Sequence, residues 1–436
     1  MSARAEAIAV TERRKDSVRW RNWRQFVGAA QEQPKQAAAV CVVVSFNSSP
    51  AVIGLLDFLK RKSGTCDVLI VDNAGSEEHA QALREYGRAR AGMNILRAVE
   101  NLGSGGGYAL AIEWALDRGY DFVFVTEDDV KPLRSDALEQ VVLNRSRRAI
   151  VDWYYREFRS GAFTFHGRLY PAELLQVAGC PDPEYFMRSD DSEWAHRIAV
   201  AQRRTGVERK IMAELEYSHP LIKRQRSVWP IYFAIRNGLI SETRRGMFRR
   251  WALVLGKRLP SSLLLGLNNG DWASLKAVLA GISDYARGRF GLEVNRKRMR
   301  HFSAFKLLAP RGATESSASR QELSRTAMST DTGLQKILGI KGRPWWAALT
   351  ENDELVAASY FSPQLPLWYC RRRMLFVEEE LEKEPGRFAT MDWSNGVRFR
   401  YLFAAFSLLA GTAMWGVLLA VCLPRYVAGR LRYHWL

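Results

Sequence analysis

The sequence has few of the residues that build zinc sites or disulfide frameworks. Its five cysteines, at positions 41, 66, 180, 370 and 422, lie far apart, and no Cys-x-x-Cys pair occurs. Structural zinc sites and small disulfide-bonded secreted domains need cysteines at short, regular spacing. The sequence therefore argues against both, and a reducing cytoplasm is the compartment we expect.

Residues 1–36 lack the apolar core of a signal peptide. They are basic and poorly patterned, with Trp20 and Trp23 set among arginines. We interpret residues 1–36 as a basic N-terminal arm, and we expect the catalytic part of the chain to remain unexported.

Acidic residues are scarce relative to basic ones. The 436 residues carry 64 Lys and Arg against 46 Asp and Glu, which gives a formal net charge of +18. Such an excess indicates an anionic partner, which could be a phosphate compound, a membrane surface or a nucleic acid. At this length the chain can form two or three domains, each with its own core.

Three acids follow a short apolar run. Phe122 to Val125 has the character of a buried strand, and Glu127, Asp128 and Asp129 come directly after Thr126. Clustered carboxylates repel one another unless a cation holds them, and hard oxygen ligands suit Mg²⁺ or Mn²⁺. The alternative is a solvated acidic turn.

Strand and helix patterns alternate from residue 39 onward. Continuous apolar runs at 39–44 and 67–71 predict strands buried on both faces, each followed by a helical pattern, and 93–97 predicts another strand. This alternation predicts an α/β fold with a doubly wound, mainly parallel sheet. Asp72 and Asn73 should then lie at the same ligand-binding edge as Asp128.

A glycine-rich stretch and a second pair of acids complete the candidate motifs. The glycines at 103, 105, 106 and 107 precede a predicted helix from Tyr108 to Arg118 and allow close approach to an anion. Their spacing does not fit the dinucleotide-binding fingerprint, which is the rival interpretation. Asp190 and Asp191 precede a predicted helix at 192–203, where helix capping is the plainer role for them.

From about Val40 to Gly291 these motifs resemble the inverting nucleotide-sugar glycosyltransferases of family 2, which have the GT-A fold. The matching segments are Val42-Val-Val-Ser-Phe-Asn47, Val68-Leu-Ile-Val-Asp-Asn73, Asn101-Leu-Gly-Ser-Gly-Gly-Gly107 and Glu127-Asp-Asp129. Glu127 stands where the first Asp of the family's metal motif is usual. Tyr232-Phe-Ala-Ile-Arg-Asn237 is similar to a family segment near the acceptor or the donor phosphates.

The resemblance implies a role for each matching residue. Asp129, with Asp128 and His219, would bind Mg²⁺ or Mn²⁺, while Asp191 would be the catalytic base and Asp190 would support it. The residues implied to contact the nucleotide sugar are Ser45, Asn47, Asp72, Asn73, Asn101, Gly103, Gly105, Gly106, Gly107, Asp128 and Arg236. Within the family, the sequence is most similar to bacterial galactofuranosyltransferases, which use UDP-galactofuranose, or to rhamnosyltransferases, which use dTDP-rhamnose.

The C-terminal half becomes helical and basic. We predict a catalytic domain at 37–245, a basic helical subdomain at 246–310, a linker at 311–332 and a small tryptophan-containing unit at 333–400. Residues 401–423 hold no charged side chain, and as a helix they would extend roughly 34 Å, which is enough to cross a bilayer. We predict a transmembrane helix there, followed by a basic tail at 424–436, and an in-plane helix is the alternative.

Together these features predict a metal-dependent hexosyltransferase at the cytoplasmic face of the cell membrane, anchored by its C-terminus. It would transfer a sugar to a lipid-linked or polysaccharide acceptor in cell-surface polysaccharide synthesis. The rivals are a metal-dependent nucleotidyltransferase and a non-catalytic nucleic-acid-binding protein. We expect no nucleic-acid partner, because the acids gather at strand ends, and the sequence leaves an oligomer open.

Overall fold

The structure is a computed structural model, and it describes the larger part of the chain. The described residues are 23–59, 65–88, 90–128, 130, 132, 134–155, 165, 167–215, 228–256, 258–269, 272–305, 313–316, 347–349, 355–358, 373–376, 388–392 and 400–433. The chain divides into two compact units, residues 1–220 and 221–436. Each unit is described by itself.

The first unit is built on an eight-stranded mixed sheet. Its strands are β1 (Val27–Gln31), β2 (Ala39–Ser45), β3 (Asp67–Asp72), β4 (Met93–Ala98), β5 (Phe122–Glu127), β6 (Ala149–Tyr155), β7 (Arg168–Pro171) and β8 (Glu208–Leu215). Its helices are α1 (Ser49–Phe58), α2 (Glu77–Arg88), α3 (Gly103–Asp117), α4 (Ala137–Leu143), α5 (Ala172–Ala178) and α6 (Asp190–Thr205). The strand order is β1-β4-β3-β2-β5-β7-β6-β8.

Strands β4, β3, β2 and β5 run parallel to one another. Strands β1 and β7 are antiparallel to their neighbours. The predicted α/β fold with a mainly parallel sheet is therefore confirmed. In β2, the side chains of Val40, Val42 and Val43 are fully buried, and burial of each valine stabilises the fold by roughly 1.5–3 kcal/mol.

The register of the central strands fixes the edge where polar residues gather. Ser45 at the end of β2 pairs with Asp72 at the end of β3, and Val44 pairs with Glu127 at the end of β5. Strand β2 lies where the strand order reverses, because β3 is on one side of it and β5 on the other. Open α/β sheets bind ligands at such a switch point, beyond the carboxyl ends of the strands.

Part of the predicted N-terminal arm belongs to the sheet. Strand β1 forms one edge of the sheet and pairs antiparallel with β4, and the buried indole of Trp23 donates a hydrogen bond to Asp117 Oδ2 at 2.6 Å. The sequence analysis missed β1 because its residues are largely exposed, so it carries no alternation of apolar and polar side chains.

Helix α3 begins at Gly103, five residues before its predicted start at Tyr108. Gly103 has a φ of +70°, in the left-handed region that favours glycine. A Cβ atom at Gly107 would lie 2.5 Å from Val44 Cγ1 of β2. The glycines therefore let the first turns of α3 pack closely against their neighbours, within the helix rather than in a loop before it.

The second unit contains six helices among its described residues. They are α7 (Trp229–Arg245), α8 (Phe248–Gly256), α9 (Leu259–Asn269), α10 (Trp272–Ala286), α11 (Leu292–Ser303) and α12 (Arg400–Tyr433). A small sheet comprises β9 (Ala313–Ser316), β10 (Ala347–Leu349), β11 (Leu355–Ala358), β12 (Arg373–Phe376) and β13 (Phe388–Asp392), in the order β10-β11-β12-β13-β9.

Two predicted boundaries differ from these elements. Strand β9 lies in the predicted linker at 311–332 yet pairs with β13. Helix α7, assigned from sequence to the catalytic domain, packs in the second unit, where Gly281 of α10 approaches the Tyr232 carbonyl so closely that a Cβ atom would lie 2.9 Å from it. The functional domain boundaries themselves stay predictions.

Helix α12 contains the apolar segment predicted at 401–423. Its stretch Leu409–Arg430 is long and apolar enough to cross a membrane. A helical C-terminal region with one apolar candidate span is thus confirmed.

Candidate functional site

The ends of β2 and β5 are joined through two serines. The hydroxyl of Ser48 donates a hydrogen bond to Asp128 Oδ2, and the Oγ atoms of Ser45 and Ser48 lie 2.9 Å apart. Ser48 is in turn the residue that precedes helix α1. The carboxylate of Asp128 is therefore fixed at the switch point by the turn that leaves β2.

Asp72 is a buried carboxylate at the end of β3. It is 1% exposed, and its Oδ1 accepts a hydrogen bond from the Gly75 amide at 2.8 Å. Its Oδ2 has no hydrogen-bond partner, although Arg97 Nε lies 3.5 Å away. A buried carboxylate oxygen without a donor is costly, and the charge of Arg97 offsets part of that cost.

His79 is buried beside Asp72. Its Nδ1 accepts the Ser49 amide hydrogen at 3.0 Å, so the neutral imidazole carries its proton on Nε2. That atom is 3.6 Å from Asp72 Oδ1. Burial lowers the pKa of His79, which keeps the ring neutral at physiological pH.

Asn73 connects β3 to the start of α3. Its amide nitrogen donates to the Gly103 carbonyl at 3.0 Å and to Asn101 Oδ1 at 3.3 Å, and its Oδ1 accepts the Leu102 amide hydrogen at 2.8 Å. Its backbone amide donates to the Ser45 carbonyl at 2.8 Å. Three segments that are distant in sequence therefore meet at this asparagine.

Asn47 adds a second link between the loops. It has a φ of +56°, and its Oδ1 accepts the Ser76 amide hydrogen at 2.7 Å. The loop after β2 and the loop after β3 are thus held against each other.

The glycine amides at the start of α3 are used within the protein. Gly103 donates to Asn101 Oδ1 at 2.8 Å, and Gly105 donates to the Phe186 carbonyl at 3.2 Å. Gly103 tolerates no side chain, since a Cβ there would lie 2.0 Å from Phe186 O. A role for the glycines in contacting a donor stays a prediction.

Asp190 is buried at the start of α6. It is 4% exposed, and its Oδ2 accepts a hydrogen bond from the Ser104 hydroxyl at 2.5 Å. Burial, together with the charge of Asp191 beside it, raises the pKa of Asp190 to about 7. A proton is therefore held on Asp190 through the acidic and near-neutral range.

Asp191 is less buried than its neighbour. It is partly accessible, and its Oδ1 accepts the Ser192 amide hydrogen at 2.6 Å. Phe186, Arg188 and Ser189, in the turn that leads into α6, have φ values of +63°, +67° and +64°. Non-glycine residues in this conformation are strained, and such strain gathers at functional sites.

Glu193, the third acid near the start of α6, has a structural partner. Glu193 is buried and forms a two-pronged ion pair with Arg197, in which Nε and Nη2 both donate to its carboxylate at 2.9–3.1 Å. Arg197 also donates to the Ala178 carbonyl at 2.7 Å. This pair ties α6 to α5, so Glu193 serves packing, and Asp190 and Asp191 are the acids available for chemistry.

The structure therefore brings most of the sequence-predicted site residues together. Asp128 is hydrogen-bonded to Ser48, Ser48 to Ser45, and Ser45 to Asn73. Asn73 is hydrogen-bonded to Asn101 and Gly103. Ser104, which follows Gly103, is hydrogen-bonded to Asp190. Asp129 and His219 lie outside the described residues. Their roles stay predictions.

Arg236 belongs to the second unit and is fully buried there. Its guanidinium donates to Asn237 Oδ1 at 2.8 Å and to Asn295 Oδ1. Tyr232 of the same segment donates to Asp284 Oδ2 at 2.9 Å. The described contacts of Arg236 are structural, and its predicted contact with a donor remains untested.

The acids at this edge fit a magnesium or manganese ion in their chemistry. Carboxylate oxygens are the hard ligands that these ions take, and Asp128 supplies one at the end of β5. In the part of the chain that the structure describes, no group of three or more His, Cys, Asp or Glu side chains could hold a metal. The predicted set depends on Asp129 and His219 to complete it.

Sequence reasoning missed three residues that position the site, namely Ser48, His79 and Ser104. Each contacts a residue distant in sequence: Ser48 contacts Asp128, His79 contacts Ser49, and Ser104 contacts Asp190. Ser104 interrupts the glycine run, and that interruption was the one local signal in the sequence.

Comparisons with solved structures return glycosyltransferases of the GT-A type. A mannosyltransferase from Pyrobaculum calidifontis in complex with GDP-Man and Mn²⁺ is 15% identical over 69% of this chain and 89% of its own, with a TM-score of 0.40. S. aureus TarS 1–349 in complex with UDP-GlcNAc is 12% identical over 57% and 92%, with a TM-score of 0.37. GalNAc-T7 with UDP, GalNAc and Mn²⁺ is 10% identical over 42% and 43%, with a TM-score of 0.34. No protein-family model and no curated protein sequence matches the chain. The likeness to these solved structures concerns the type of fold.

Proposed function

We propose that the chain is an inverting, metal-dependent glycosyltransferase of family 2 that takes a sugar from a nucleotide sugar. The observation that carries this proposal is the hydrogen-bonded edge at which Asp72, Asp128 and Asp190 are joined through Ser45, Ser48, Asn73 and Ser104. One acid suited to base recognition, one suited to metal ligation and an acid pair suited to proton transfer thus lie along one hydrogen-bonded edge of the sheet.

Asp72 and Asn73 would bind the nucleotide. The carboxylate of Asp72 would accept an N–H of the base. The Gly75 amide, which donates to Asp72 Oδ1, holds the carboxylate in place. A side chain that is already held in place loses less conformational entropy when the ligand binds.

Asp128, Asp129 and His219 would hold the divalent ion. When bound, Mg²⁺ or Mn²⁺ would neutralise the diphosphate charge that grows as the nucleoside diphosphate leaves. Within the chain, Ser48 keeps the Asp128 carboxylate at the strand end by donating to its Oδ2.

Asp191 would act as the general base. It would take the proton of an acceptor hydroxyl while that oxygen attacks the anomeric carbon, and the bond from that carbon to the diphosphate oxygen breaks on the opposite face. The proton held on Asp190, whose pKa is raised to about 7, limits the negative charge beside Asp191. Asp190 thereby helps Asp191 to remain ionised in the free enzyme.

The favoured donor is UDP-galactofuranose and the favoured acceptor is a membrane-linked glycan at the cytoplasmic face, with dTDP-rhamnose as the second donor. The support for these finer assignments is the motif similarity in the sequence together with the basic charge and the apolar span Leu409–Arg430.

A panel of nucleotide sugars tests the proposal. The full-length protein, incubated with each donor, Mg²⁺ and a membrane lipid extract, should release nucleoside diphosphate from one donor above all others. Chelation with EDTA should abolish this release, and added Mg²⁺ should restore it. Equal, metal-independent background release from every donor would contradict the proposal.

A further inference from the structure

Helix α12 has one exposed apolar side along most of its length. The exposed fractions are 56% for Phe406, 74% for Leu409, 65% for Val417, 59% for Val421 and 49% for Val427. At 100° per residue these five side chains fall within about 120° of one another. Together they form the apolar face of α12.

The opposite side of α12 is packed against its own unit. The indole of Trp415 donates to the Ala252 carbonyl of α8 at 2.8 Å. The Tyr426 ring lies 4.8 Å from the Trp251 ring, and Gly411 approaches Pro260 of α9 so closely that a Cβ atom would lie 2.8 Å from its ring. Helix α12 is therefore attached to α8 and α9 at several levels rather than standing free.

Exposed arginines lie on α8, the helix that packs against the opposite side of α12. Arg249 and Arg250 at the start of α8 are exposed, and their neighbour Phe248 has its ring 5.5 Å from the Tyr426 ring of α12. This contact sets the two arginines alongside the part of α12 between Trp415 and Arg430, within the candidate span. Because α8 packs on α12 between Trp415 and Tyr426, a crossing by Leu409–Arg430 would carry α8, with Arg249 and Arg250, into the membrane, where charge is costly.

We propose that α12 attaches to one leaflet of an anionic membrane, with its apolar face in the outer edge of the hydrocarbon and Arg249 and Arg250 at the headgroups. An uncharged face, with exposed arginines on the helix packed behind it, matches such a surface, because anionic headgroups attract basic residues that lie near them. This inference refines the membrane attachment in the proposed function. It depends on that attachment alone, and not on the reaction or the sugar donor. It favours the in-plane alternative over a crossing at 401–423.

Vesicle flotation of the full-length protein tests the apolar face. The probes are vesicles of phosphatidylcholine with phosphatidylglycerol, and vesicles of phosphatidylcholine alone. Val417→Asp should lower the affinity for both by at least roughly tenfold, because a charge enters the inserted face. Val99→Asp is the matched control, since Val99 is 55% exposed in the first unit, and it should bind as the unmodified chain does. Equal binding of the two variants would overturn the proposal.

The arginines are tested separately. The double substitution Arg249→Ala and Arg250→Ala should weaken binding to the phosphatidylglycerol vesicles by roughly 30-fold and leave binding to phosphatidylcholine nearly unchanged. The control pair Arg203→Ala and Arg204→Ala, also adjacent exposed arginines but on α6, should have no such effect. A similar loss for both pairs would mean that the attraction comes from net charge rather than from this surface.

The position of the helix in the membrane is tested by labelling its two ends. Leu409→Cys and Val427→Cys, each carrying a nitrobenzoxadiazole label, should both be bleached by dithionite added outside preformed vesicles. Protection of one label alone would show that the helix crosses. Absence of vesicle binding, with a dimer in sedimentation that Val417→Asp dissociates, would show that a second copy covers the face. Either outcome would overturn the proposal. Neither measurement depends on sugar transfer, so the results are independent of the proposed reaction.

Discussion

Replacing Asp190 by Asn tests the electrostatics of the site. Burial and the charge of Asp191 raise the pKa of Asp190 from its usual 3.8 to about 7. The folded chain therefore holds a proton that the unfolded chain releases. The stabilisation is complete below about pH 4 and is lost as pH rises through about 7. At about 1.4 kcal/mol per pH unit, the free energy of unfolding should fall by about 3 kcal/mol between pH 5 and pH 8 from this group alone.

Asp190→Asn cannot titrate, so the variant should lack this fall. Urea unfolding of the full-length protein and the variant at both pH values, followed by tryptophan fluorescence, gives the difference between their pH dependences. Asp191→Asn should remove part of the same fall, because it removes one of the two causes of the raised pKa. If Asp190→Asn keeps the pH dependence of the unmodified protein, Asp190 does not hold a proton in the folded state.

Three further substitutions test the site and its packing. Asp191→Asn should lower kcat by about 10² to 10⁴-fold and leave donor affinity nearly unchanged, because a base acts in the chemical step; full activity would assign Asp191 to helix capping. Asp128→Asn should weaken Mg²⁺-dependent donor binding in calorimetry by at least roughly tenfold, whereas the exposed Asp136→Asn should not; equal affinities would remove Asp128 from the metal site. Gly107→Ala should lower the free energy of unfolding by about 1–3 kcal/mol through contact with β2. Gly54→Ala, with nothing within 4 Å of the added Cβ, should be neutral or stabilising by up to about 1 kcal/mol, and similar urea midpoints for the two would contradict the close packing.

The parallel core of the sheet could be predicted from sequence because its signal is local. Strands β2 and β3 are continuous β-branched runs buried on both faces, and each ends in polar residues that mark the carboxyl edge. Strand β1 was missed because an exposed edge strand has no such pattern. The early start of α3 was missed because glycine is a poor helix former, and here tertiary packing outweighs its propensity.

The candidate site was predictable in its residue types and less so in its contacts. Asp72, Asn73 and Asp128 follow strand ends, so their common edge follows from the order of strands and helices. The different environments of Asp190 and Asp191 could not be predicted, because burial of Asp190 depends on Ser104, which is 86 residues away in sequence. For the same reason, no local pattern indicates that Arg236 is enclosed by residues such as Asn295.

The bond that the protein breaks is the most direct test of its proposed function. Phosphorus NMR of the full-length protein with Mg²⁺, UDP-galactofuranose and a lipid-linked acceptor identifies the released phosphate compound. The two coupled resonances of UDP should grow at the rate at which the acceptor gains sugar, and Asp191→Asn should slow both equally. Release of pyrophosphate, or of no nucleotide product with either UDP-galactofuranose or dTDP-rhamnose, would contradict glycosyl transfer at this site.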